Sequence, residues 1–232
     1  MSLNPLNPAA GDVPIPEDQR EVDAALRAGP ITLRIFPYLD WRYGERGRKF
    51  TASDSAWLAW LVRHDQTRVN EQILWLRSVL SNRGMPGWIL EIHLRSLHKQ
   101  LVRSIPEKRA AYHKLAAAAQ LLGGQRREIL SDEVWTKLAL GFASAIGAPN
   151  RITKGVGRML VASVIDERLG VKNAVRSVES WLSGIDSLRR VEGLRRILSS
   201  SQCQTLDSDR FAARWHESMT ATIAIARKSS RG

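Results

Sequence analysis

Residues 69–102 read VNEQILWLRSVLSNRGMPGWILEIHLRSLHKQLV, and the apolar spacing on either side of Arg83-Gly84-Met85-Pro86 decides the fold class. Val69, Ile73, Leu76 and Leu80 recur at steps of four, three and four, and Leu90, Leu94, Leu97 and Leu101 repeat that rhythm. Such a recurrence places one apolar stripe along a 3.6-residue helix. Glycine accepts the left-handed conformation that ends helices, and proline supplies no amide to continue one. The stretch therefore predicts two antiparallel helices joined by a tight turn, each with its leucine face inward.

Working outward, residues 17–28 predict a short helix closed by Gly29-Pro30. Ile31, Leu33 and Ile35 alternate as a strand would, but the run ends at Pro37 and has no partner strand. Trp41 to Lys49 reads as a basic turn punctuated by Gly44 and Gly47, able to hold an anion, ahead of N-cap chemistry at Thr51-Ala52-Ser53-Asp54 and a helix through Leu61. Beyond the hairpin, Pro106-Glu107 opens a helix through Leu122, with Gly123-Gly124 as its stop. Ser131-Asp132-Glu133 caps a helix to about Ile146, and Gly147-Ala148-Pro149-Asn150 breaks it. Helical patterns resume over 151–169, 172–182, 186–199 and 207–228. The expected fold is an all-α bundle of seven to nine helices, as one body or two helical subdomains. The expected divisions are a flexible leader at 1–16, an N-terminal helical domain at 17–124, a basic C-terminal helical domain at 125–228 and a disordered tail at 229–232.

Composition narrows the chemistry. At 232 residues and 44% hydrophobic, the chain buries a sizeable core without disulfides, and its single cysteine, Cys203, can close no intrachain bridge. No run of about 18 apolar residues is present to span a bilayer, and the first residues lack the basic and apolar layout of a signal peptide. These features point to a cytoplasmic protein. The formal net charge of +12 favours acidic partners, either an acidic protein surface or nucleic acid, although both halves share the surplus and neither forms a basic tail.

Linear catalytic motifs are missing. The chain has no His-Glu-x-x-His, no Gly-x-Ser-x-Gly elbow, no Walker loop and no dinucleotide fingerprint. His93 and His98 lie five residues apart, which turns them to different sides of a helix, so they do not form a simple metal chelate. A single imidazole nonetheless suffices to ligate haem or another tetrapyrrole. Tryptophan dominates the aromatics, with 8 Trp against 3 Tyr and 4 Phe. Its rings fill cores and also stack on planar ligands. Trp75, Trp88, His93, His98 and His113 are therefore the candidate ligand- or partner-binding residues, lining a pocket or surface in the first half. The expectation is a non-enzymatic regulatory or ligand-sensing protein.

Residues 161–182 carry a competing expectation. Glu167-Arg168-Leu169-Gly170-Val171 resembles the turn of a helix-turn-helix unit, with Ile165, Leu169 and Val171 at its apolar positions. Asp166 stands where such units place a small residue, and Arg176 and Glu179 stand where they place apolar ones. The resemblance implies a DNA-binding regulator with Lys172, Asn173 and Arg176 facing the groove. Arg189, Arg190, Arg195 and Arg196 would add a basic face to the same half.

Overall fold

The computed structural model describes residues 4–147, 151–183 and 208–230. Among them are nine α-helices, two short 3-10 turns and no strand, which is the all-α architecture that the spacing predicts. The helices are α1 (Gln19–Ile35), α2 (Pro37–Leu61), α3 (Gln66–Ser81), α4 (Gly87–Ser104), α5 (Arg109–Ile129), α6 (Asp132–Ala145), α7 (Arg151–Arg168), α8 (Ala174–Ser183) and α9 (Ser208–Ser229). The expected helix at 186–199, with Arg189, Arg190, Arg195 and Arg196, lies outside the described residues, as does Cys203.

The hairpin forms as expected. Val69, Ile73, Leu76, Leu90, Leu94, Leu97 and Leu101 are all buried, while Leu80 is half-buried. Asp65 starts α3 by accepting the Arg68 amide at 2.8 Å. At the other end Gly84 takes a φ of 80°, the Met85 amide reaches the Leu80 carbonyl at 2.9 Å, and the Gly84 amide reaches Ser81 at 3.0 Å. These paired bonds are a Schellman motif, and Pro86 then prevents the helix from resuming. Residues 166–171 repeat the device at the end of α7, with Gly170 at a φ of 96° and the Val171 amide on the Asp166 carbonyl.

Three expected stops do not hold. Helix α1 runs through Gly29-Pro30 to Ile35, α5 runs through Gly123-Gly124 to Ile129, and the expected turn at 41–49 is helical on both sides of a single kinked residue. That residue is Gly44, at φ 52° and ψ −140°. Glycine breaks helices by about 1 kcal/mol and internal proline by about 3, amounts that tertiary burial overrides when the helix has a well-packed face. In α1 that face is Val22, Ala24, Ala25, Ala28 and Gly29. The residues expected as a leader are hydrogen-bonded over their described part: the Asn4 amide reaches the Gly11 carbonyl, and Asn7 caps a 3-10 turn at Pro8–Ala10.

The chain divides into two compact units. The first comprises Met1–Leu76 and Ile89–Gly123, and the second Arg77–Trp88 and Gly124–Gly232. The arms of the hairpin thus belong to the first unit and its tip to the second. In the first unit α1 packs against α2, and Glu21 is buried with the Tyr112 hydroxyl donating to it at 2.7 Å and Lys108 at 3.3 Å. In the second, α6, α7 and α9 pack together around Phe142, Val161, Ile165, Trp215 and Met219, with α8 against α7.

Candidate binding groove and the predicted site residues

The five aromatic and imidazole residues singled out in the first half do not form one cluster, although His98 and His113 meet one another. His93 is buried, with Nδ1 2.8 Å from the Thr32 hydroxyl and Nε2 3.0 Å from the Ser55 hydroxyl. It ties α4 to α1 and α2, and its two nitrogens are both occupied. Burial pushes the imidazole down to about 4, so the ring is neutral near pH 7. A neutral ring donates from one nitrogen and accepts at the other. Of the two hydroxyls, each also within reach of a carbonyl of its own helix, the one facing the bare nitrogen donates to it.

His98 and His113 do come together, across α4 and α5, with ring centroids 5.2 Å apart. Burial, followed by the neighbouring charges of His113 and Arg109, holds His98 below the usual imidazole value. Its Nε2 is enclosed and has no hydrogen-bond partner among the described residues. Sequence spacing compared His98 with His93 on the same helix and so missed its partner on the next. Trp75 is 57% exposed and meets Trp57 edge-on at 6.3 Å. Trp88, in the second unit, packs edge-on against Trp135, whose ring also lies 4.0 Å from the Arg126 guanidinium and whose indole N–H donates to the Arg158 carbonyl at 3.2 Å.

In the second unit Lys172, Asn173 and Arg176 are exposed, while Val175 and Val178 are buried. Asp166 is buried and its Oδ2 accepts from the Ser81 hydroxyl and the Gly87 amide, both at 2.7 Å. It therefore caps the first turn of α4, although it belongs to α7. Burial pushes it up to about 6, against the opposing pull of those two donors and of Arg77. Its neighbour Glu167 instead grips Arg227 through two bonds of 2.9 Å. Nothing local in Asp166-Glu167 distinguishes the two, because their environments come from residues about 60 to 85 positions away. Among the described residues no group of three or more His, Cys, Asp or Glu could hold a metal ion, and no helix is long and apolar enough to cross a membrane.

A groove of about 600 Å³ lies along α1 and α2 in the first unit. Its apolar lining is Leu26, Pro30, Leu33, Pro37, Trp41 and Ala52, and Arg34, Asp40 and Arg48 supply its charge. None of the five residues expected at a binding site lines it. Two helix-breaking residues stand at the groove, Pro30 in its lining and Gly44 at the kink between Trp41 and Arg48. Pro30 returns no amide to the Leu26 carbonyl one turn back, and both residues line the groove. Gly44 turns the start of α2 so that Asp40 and Trp41 stand with Arg48 and Ala52 along one wall. Asp40 and Arg48 form an ion pair across this kink. At Gly47 a Cβ would fall 2.4 Å from that of Tyr43, so the bend requires glycine there as well. Leu26 and Trp41 are 36% and 40% exposed, and Ile35, in the last turn of α1, is also exposed.

No family model, curated protein or solved structure matches the chain. Its function is read from its own geometry.

Proposed function

We propose that this is a non-enzymatic regulatory protein that binds a ligand or partner through the groove between α1 and α2. The observation that carries the reading is the predominantly apolar lining of that groove, with two large apolar side chains left exposed on it. Leu26 and Trp41, which line it, are two of the six large apolar side chains exposed among the described residues. Contiguous exposed apolar surface costs solubility and marks binding sites, and the groove's volume falls in the range of ligand pockets. Apolar walls with a few charged groups at the edge suit recognition of an amphipathic occupant.

A neutral solvatochromic dye such as Nile red tests the reading. It should brighten on the native protein, and Trp41→Ala and Leu33→Ser should each weaken that binding several-fold while far-UV circular dichroism stays unchanged. A dark dye, or one indifferent to both substitutions, would sink the reading.

The exposure of Lys172, Asn173 and Arg176, on and just before α8, favours a second reading, a DNA-binding regulator. Duplex DNA should then bind with affinity falling steeply as salt rises, and Arg176→Ala should weaken it. Absence of binding to mixed-sequence DNA at low ionic strength would exclude it.

A further inference from the structure

We infer that His98, His113 and Arg109 form a second site, for a phosphate-class oxyanion, where α4 meets α5. None of the three lines the α1–α2 groove. His98 stands on α4, while Arg109 and His113 stand four residues apart on α5 and so share one face of that helix. Across the two helices the imidazole rings lie 5.2 Å apart, tilted by 40°. Rings this close, when charged, both have N–H groups to offer to the oxygens of one small anion.

All three groups are available. The His98 Nε2 is enclosed without a hydrogen-bond partner, and the side chains of His113 and Arg109 make no ion pair or hydrogen bond among the described residues. An enclosed polar nitrogen left unpaired costs about 1–3 kcal/mol, and a bound anion supplies the acceptor it lacks. His113 and Arg109 are exposed and meet solvent directly, while His98 is half-buried. Exposed side chains exchange rotamers within nanoseconds, so the His113 ring turns readily to admit a ligand.

Charge selects the ligand. The charged neighbours that act on His98 are His113 and Arg109, both cationic when protonated. The nearest carboxylates along these elements are engaged elsewhere, Glu91 of α4 with Arg95 and Glu107, two residues before Arg109, with Arg20. Two protonated imidazoles beside a guanidinium repel one another, whereas a dianion among them favours the charged rings, so its binding takes up protons. A divalent metal would instead meet two imidazoles, no carboxylate or thiolate and an opposing guanidinium, and no larger group of metal-binding side chains stands among the described residues. Donors converging from two helices suit a phosphate group, with its three strong acceptor oxygens, better than a carboxylate with two.

The probes are sulfate, inorganic phosphate and phenyl phosphate, each added to the full chain at an ionic strength held constant with sodium chloride, while NMR follows the side chains of the 5 histidines. Sulfate keeps both charges over the whole range, whereas a phosphate monoester takes up a proton near about pH 6, so sulfate isolates the titration of the protein. The His98 and His113 resonances, assigned from His98→Gln and His113→Gln, should shift saturably with sulfate while those of His64, His93 and His216 stay in place. Affinity should be several-fold higher at pH 6 than at pH 8, and both rings should titrate at a higher pH when sulfate is bound. Arg109→Gln, a change at an exposed position, should weaken binding several-fold with far-UV circular dichroism unchanged. Phenyl phosphate binding more tightly than inorganic phosphate assigns the site to a phosphorylated small molecule, and the reverse order assigns it to free phosphate. Shifts common to all the histidines, shifts that chloride reproduces, or binding indifferent to Arg109→Gln overturn the inference. Zinc perturbing the two rings while sulfate leaves them unmoved overturns it as well and makes the pair a metal site.

Discussion

Burial holds the His93 imidazole at about 4, whereas in an unfolded chain it titrates near 6.5. Between those values the unfolded chain binds more protons, so this residue makes the protein more stable as pH rises and the contribution is lost as pH falls through 4. Asp166 has the opposite sign. Its carboxyl titrates at about 6 when folded and near 3.8 when unfolded, so the folded chain binds more protons in between. Its contribution is fully present below about 3.8 and is lost as pH rises through 6. Each effect is on the order of 3 kcal/mol. The two slopes oppose one another between pH 4 and 6.5, so urea unfolding read against the native protein separates them. In Asp166→Asn stability should climb with pH more steeply than in the native protein over that interval, and in His93→Gln less steeply. Parallel profiles for all three proteins would refute both assignments. Neither environment was legible in the sequence. A histidine beside a leucine stripe and a carboxylate in a helix acquire their surroundings only when Thr32, Ser55, Ser81 and Gly87 arrive from distant positions.

Elements were legible where their periodicity was strong and hidden where glycine or proline interrupted it. The leucine stripes of α3 and α4, the Gly84 and Gly170 stops and the Ser131 cap follow from local chemistry. Gly29-Pro30 and Gly123-Gly124 carry the same local signals, but the helices continue because burial of their flanking residues outweighs the local cost. The same residue type should consequently respond with opposite signs. Gly44 sits at a positive φ with a strongly negative ψ, a conformation closed to side-chain-bearing residues, so Gly44→Ala should cost about 1–3 kcal/mol and lower the melting temperature. Gly124 lies inside α5 with open space where a Cβ would stand, so Gly124→Ala should raise stability by about 0.5–1 kcal/mol. Calorimetry on the two variants checks both. The candidate groove escaped sequence reading for the same reason as the helix boundaries. Its walls are built on Pro30 and Gly44, where reading by propensity expects the helices to stop.

At the scale of the molecule, neither unit is a continuous piece of chain. The first is assembled from two segments separated by the hairpin tip, and the second borrows that tip for its own packing. The basic surplus is likewise distributed rather than gathered into a tail. A composition of +12 suggests an acidic partner, but the candidate groove emerges only once α1 and α2 are paired with Leu26 and Trp41 left exposed.

The cap supplied by Asp166 gives the chain an order of completion during synthesis. All the groups that surround His93 and Glu21 in the first unit have emerged once residue 112 has left the ribosome. The Gly87 amide and the Ser81 hydroxyl are made early, but their acceptor follows 79 and 85 residues later. Until then they remain solvated, and the beginning of α4 lacks the acceptor that holds it in the finished protein. With domains of a nascent chain folding from the N-terminus, the first unit and its groove are complete while the second still awaits its last helices.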